Sequence, residues 1–130
     1  AKELAKESNV GVFSINEFMV ALGFMEKDFW IQEIRQKLSE YSDLLSLYVK
    51  YNMEIHLFGS ARLKCHPNDI DIVIIYPYSS MSIAQIIRDQ TISILQGAFS
   101  LPIDSVLLSY EENRQVNFLF KENARRIFPT

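Results

Sequence analysis

The 130 residues contain a single cysteine, Cys65, so an intramolecular disulfide framework is excluded and a reducing cytoplasm is the expected setting. No apolar run approaches the roughly 20 residues that span a bilayer, and the opening Ala1-Lys2-Glu3-Leu4 lacks the apolar stretch of a secretory signal. Positive charge is not in excess either. Thirteen Lys and Arg stand against 16 Asp and Glu, a net charge of −3, which disfavours an extensive, sequence-independent grip on nucleic acid. The basic residues Lys121, Arg125 and Arg126 read as the solvated face of a helix. Internal repeats, linkers and low-complexity segments are lacking too. A single domain over residues 1–130 is the expectation, with N-terminal helices in 1–51 and a core in 52–130.

Helical signals dominate the first part of the chain. Residues 1–10 are polar and weakly periodic, a frayed lead-in. Ser14-Ile15-Asn16-Glu17 is a capping box, Phe13 and Phe18 take the positions of a hydrophobic staple, and Gly23 suits a helix stop. A short helix over 15–22 follows. A longer one is predicted over 27–51, where Trp30, Ile34, Leu38, Tyr41, Leu45 and Tyr48 recur every three or four residues. Such a stripe could meet a partner, but packing against the chain's own sheet is the simpler reading.

Strands are expected over 53–58, 70–76 and 103–108, with a helical turn at 61–64 broken by Pro67. The second strand is apolar on both faces and should be central. A helix from about Ser79–Ser82 to Gly97 would bury Ile83, Ile86, Ile87, Ile94 and Leu95. Ser109-Tyr110-Glu111-Glu112 opens a last helix, with Val116, Leu119, Phe120 and Ile127 on one face. Glu111 and Glu112 are explained by the field at that helix start. The element order gives an α+β layer structure.

The informative stretch runs from His56 to Ile75. One aliphatic run ends in Gly59-Ser60; a second opens with Asp69-Ile70-Asp71. Alternation along a strand puts Asp69 and Asp71 on one face, where two like charges repel and are costly to desolvate. A divalent cation offsets both costs, and oxygen ligands suit Mg²⁺. Gly59 and Ser60 supply a tight turn with exposed N–H groups for phosphate. Asp104 is the one charge in a third aliphatic strand; beside the second strand it would complete a carboxylate set able to hold two Mg²⁺ about 3.5–4 Å apart. Arg62 and Lys64 follow closely enough to neutralise a triphosphate. Two other readings carry less. His56, Cys65 and His66 could form a transition-metal site, but His56 reads as pointing off a strand and Cys65-His66-Pro67 as part of the loop. Ser60 as a covalent nucleophile lacks an assured base.

Gly59-Ser60, Asp69-Ile70-Asp71 and the downstream Asp104 resemble the DNA polymerase β-type nucleotidyltransferase superfamily, above all its minimal members in bacteria and archaea. The resemblance covers residues 54–127. It implies a small mixed sheet with helices mainly on one face, a palm-like core to which the two N-terminal helices are additions. It assigns the nucleotide's phosphates to Gly59 and Ser60 and two Mg²⁺ ions to the catalytic acids Asp69, Asp71 and Asp104. Arg62 and Lys64 fall in the nucleotide-binding stretch. There the pattern departs: the loop from Ser60 to Asp69 is short, and Ala61-Arg62-Leu63 puts the arginine one position early.

The implied activity is Mg²⁺-dependent transfer of an NMP group, AMP from ATP, to a hydroxyl acceptor. Minimal members often pair with a small helical protein in toxin–antitoxin modules and adenylylate a tyrosine of the toxin. A protein partner that is also the acceptor is therefore expected here. The alternative is a catalytically silent nucleotide-binding or interaction module of the same fold. A template-dependent polymerase is disfavoured by size and acidity.

Overall fold

The aliphatic stretches between Glu54 and Ser109 become strands in the computed structural model, which describes residues 28–130. Strands β1 (Glu54–Phe58), β2 (Ile70–Tyr76), β3 (Ile103–Ser109) and β4 (Arg125–Phe128) form a four-stranded sheet in the order β3-β2-β1-β4. β1 runs antiparallel to β2 and β4, whereas β2 and β3 are parallel. The sheet is thus mixed and the fold α+β. β2 is central, as its two-sided aliphatic character predicts, and Ile72 to Tyr76 are all buried. Helices α1 (Phe29–Leu38), α2 (Ser42–Lys50) and α3 (Met81–Phe99) bury one face of the sheet. Ile55 and Leu57 of β1 meet Ile70, Ile72 and Ile74 of β2 there, with Ile34 of α1, Tyr48 of α2 and Ile87 of α3 above them. The parallel β2–β3 pair needs a crossover, and α3 provides it. Two shorter helices, α4 (Tyr110–Val116) and α5 (Phe118–Lys121), link β3 to β4. No helix among the described residues is long and apolar enough to cross a membrane.

The helix and capping box predicted at 14–23 lie outside the described residues. The single helix predicted over 27–51 is two helices. Ser39 Oγ donates to the Gln36 carbonyl at 2.6 Å, and the amides of Glu40 and Tyr41 bond back only three residues. A serine that competes for helix carbonyls ends the helix there. Tyr41 leaves helical geometry (φ −122°, ψ 66°) and is 42% exposed. The buried stripe therefore passes from Leu38 to Leu44 and Tyr48 instead of through Tyr41.

α3 outruns Gly97 and stops at Phe99, with Ser100 in the left-handed region (φ 55°) as the stop residue. Its buried line is Ala84, Ile87, Thr91 and Leu95, while Ile86 is exposed. The capping box at Ser109 is present: Glu112 N–H donates to Ser109 Oγ, and Ser109 N–H to Glu112 Oε1. The last predicted helix face, however, is divided. Asn117 adopts φ 55° and ends α4, Asn123 (φ 52°) follows α5, and β4 begins at Arg125. Asparagine tolerates this left-handed conformation better than other non-glycine residues. Ile127 is buried on β4, Phe120 is 80% exposed, and Arg125 and Arg126 are strand residues instead of a helix face.

Candidate metal centre

β1 ends at Phe58, and the chain turns at Gly59 with φ +76°. Glycine is required here for two reasons. The backbone angle is one that side chains resist, and an added Cβ would overlap Asp71 Oδ2 while lying 3.1 Å from Asp71 Cγ. The space a side chain would fill is taken by the carboxylate. The turn itself is a 3₁₀ helix over Gly59–Arg62, closed by bonds from the Leu63 and Lys64 amides to the Ser60 carbonyl. It begins two residues earlier than the sequence suggests. Ala61 anchors it in the core, and Trp30 Nε1 of α1 holds the following segment by donating to the Cys65 carbonyl at 3.1 Å.

The sheet register then gathers the acids. Asp71 faces Phe58 on one side and Asp104 on the other, in a parallel pairing that runs unbroken from Ile70↔Ile103 to Tyr76↔Ser109. Asp69 precedes β2 by one residue and shares the face of Asp71. Each of Asp69, Asp71 and Asp104 offers a carboxylate oxygen within 4.8 Å of the others; the first two are half-buried and Asp104 is exposed. Burial, then the charges of Asp69 and Asp104, push Asp71 up to about 6. Hydrogen bonding with Asp104 holds Asp69 above the usual carboxylate range, with partial burial and the Asp104 charge adding to it. Among the described residues, no Lys, Arg or His forms an ion pair with any of the three. Three carboxylates so placed, raised in pKa by burial and by one another, are a donor set that suits a hard divalent cation such as Mg²⁺.

The predicted basic groups divide. Lys64 is exposed beside the turn. Arg62 donates from Nη1 to the Asn123 carbonyl at 2.8 Å, so that nitrogen is committed to the chain. His56 is buried, and its Nε2 lies 2.8 Å from Glu54 Oε1. Burial holds the His56 pKa below the usual range despite the Glu54 hydrogen bond, which acts to raise it. His56 Nε2 is thus paired with Glu54. Two surface clefts along α2, about 470 and 460 Å³, are lined by none of Asp69, Asp71 and Asp104. Sequence reasoning missed the residues that hold this site from outside: Trp30, Phe118, whose ring meets Phe58 edge-on at 5.1 Å, and Asn123. Asn117 and Asn123, as helix-stop residues, were the available signal for the last two. Compared with protein-family models, with curated proteins and with solved structures, the chain matches none.

Proposed function

We propose that this chain is a nucleotidyltransferase that moves AMP from ATP to a hydroxyl of a protein acceptor. The observation that carries this is the convergence of Asp69, Asp71 and Asp104, with Gly59 pressed against the middle carboxylate. Asp69, Asp71 and Asp104 would hold two Mg²⁺, and the ions would supply activation of an attacking hydroxyl and charge neutralisation of a pyrophosphate leaving group. The turn at Gly59 and Ser60 presents backbone N–H groups to the phosphates, and exposed Lys64 adds charge beside it. The acceptor oxygen bonds the α-phosphorus as the bond to the β-phosphate oxygen breaks. Its proton passes to a carboxylate oxygen of Asp104, the most exposed of the three acids. That exposure favours a macromolecular acceptor, such as a tyrosine of a partner protein, over a small molecule enclosed in a cleft. α-Labelled ATP, Mg²⁺ and cell extract should give a labelled protein with the wild type and none with Asp69→Ala/Asp71→Ala; equal labelling overturns the proposal.

The bond from Arg62 to Asn123 favours one alternative, a silent nucleotide-binding module of the same shape. Calorimetry separates the two. NTP binding that is indifferent to both Mg²⁺ and Asp71→Asn would identify the silent module.

A further inference from the structure

Phe58 and Arg62 flank the turn that carries Gly59 and Ser60, and both reach the same small unit of the fold. Phe58 stacks edge-on with Phe118, the first residue of α5. Arg62 donates to the carbonyl of Asn123, just beyond the end of α5. That carbonyl is fixed in direction. The amides of Asn123 and Ala124 bond back to Phe120 and Leu119, and Asn123 sits at φ 52°, so α5 ends in a Schellman-type stop. The carbonyl of a left-handed stop residue lies outside the helix ladder and is open to an outside donor.

We infer that Arg62 is a positioning residue: together with Phe58 it braces the Gly59–Arg62 turn on α5 and so keeps Gly59 seated against Asp71, instead of binding phosphate itself. The turn closes itself with the pair of bonds to the Ser60 carbonyl; among the described residues it also packs on β1 and β2, and Ala61 and the Trp30 bond to Cys65 tie it toward α1. Gly59 and Asp71 are in van der Waals contact, so any shift of the turn is felt by the carboxylate. α5, which has no buried residue, acquires a purpose by this inference: it presents a ring and a carbonyl to the turn. Only the final step, from brace to metal affinity, rests on the function proposed above.

Amide hydrogen exchange on the whole chain reads the brace without reference to activity. In Arg62→Ala the Leu63 and Lys64 amides should exchange about tenfold faster, as loss of one such hydrogen bond implies, with the amides of β2 unchanged. Phe118→Leu alters no charge and should shift the same amides in the same direction; Arg62→Lys, which keeps a donor, should recover part of the protection. Mn²⁺ titrated alone should bind Arg62→Ala several-fold more weakly than wild type. A phosphate ligand behaves oppositely: losing its positive charge leaves Mn²⁺ affinity unchanged or higher and weakens only NTP binding. Unchanged exchange at Leu63 and Lys64, or unchanged or tighter Mn²⁺ binding by Arg62→Ala, overturns the inference. If wild type transfers no label from ATP while the exchange result holds, the proposed activity falls and the brace stands.

Discussion

Two polar clusters lie on opposite faces of the sheet, and they are built on opposite rules. In the helical layer, the Tyr48 hydroxyl and Thr91 Oγ1 are 2.8 Å apart and wholly buried, and Thr91 also donates to the Ile87 carbonyl. Burial raises the Tyr48 pKa far above its ordinary value, so the phenol stays neutral. Each group answers another, and nothing from outside is needed. At the far face, Asp69, Asp71 and Asp104 crowd together with no cationic side chain among the described residues to answer them. The first cluster is complete in itself, whereas the second sets three carboxylates close enough together to bind a metal ion.

The largest effect that would break this contrast is chemical. Asp71→Asn should lower the proposed nucleotide transfer about 10³-fold or more, yet raise the melting temperature in metal-free buffer, because it removes repulsion from its two neighbours. Retained transfer would reduce the acids to an ordinary surface cluster. Gly59→Ala comes next. Its Cβ overlaps the Asp71 carboxylate at a φ of +76°, and a destabilisation of about 1–3 kcal/mol is expected in denaturant titrations. Repeating it in an Asp71→Ala background should recover the part due to overlap; a purely additive cycle would show the contact to be incidental. On the other face, Thr91→Val leaves the buried Tyr48 hydroxyl without its partner and should cost about 1–3 kcal/mol. Tyr48→Phe should cost less, since Thr91 keeps the Ile87 carbonyl. Neither should alter transfer. If either does, the two clusters are coupled through β2 and are not independent.

How much of this could be read in advance follows the same division. The three carboxylates, the glycine turn and the central strand stand out because each breaks a local rule: charge at the start of an aliphatic strand, or glycine where the chain must reverse. The β2–β3 register that brings Asp104 opposite Asp71 is seen only in the structure. Tyr48 and Thr91 break no rule in sequence, since a threonine on a helix shows its purpose only when the facing tyrosine is known. β4 escaped because Arg125-Arg126-Ile127-Phe128 is short and continues a helical period; only Asn117 and Asn123 mark the interruption. The single helix expected over 27–51 failed at Ser39 for a similar reason, because one side-chain bond to Gln36 outweighs an otherwise continuous stripe. Arg62 shows what a motif does not carry: its place after Gly59-Ser60 suggests phosphate, while its bond to Asn123 is visible only in the structure.

The smallest effect is the pH dependence of stability, and its sign tests the contrast directly. In the unfolded chain Asp71 releases its proton near the ordinary value of 3.8; in the folded chain it holds the proton up to about 6. Between these values the folded state binds more protons, so metal-free stability should fall as pH rises through that window and then level off. Asp69, also raised, acts in the same direction. His56 opposes them: buried with its pKa held low, it disfavours the folded state as pH falls. Subtracting the melting curves of Asp71→Asn from those of wild type removes the His56 contribution and leaves that of Asp71. The difference should decline from about pH 4 to pH 6 in chelator. With excess Mg²⁺ the decline should vanish or reverse, because an ion bound to the ionised acids favours the folded state by mass action. A difference that rises with pH in chelator would mean that the chain itself supplies a counter-charge to Asp71, and the far face would then be as self-sufficient as the core.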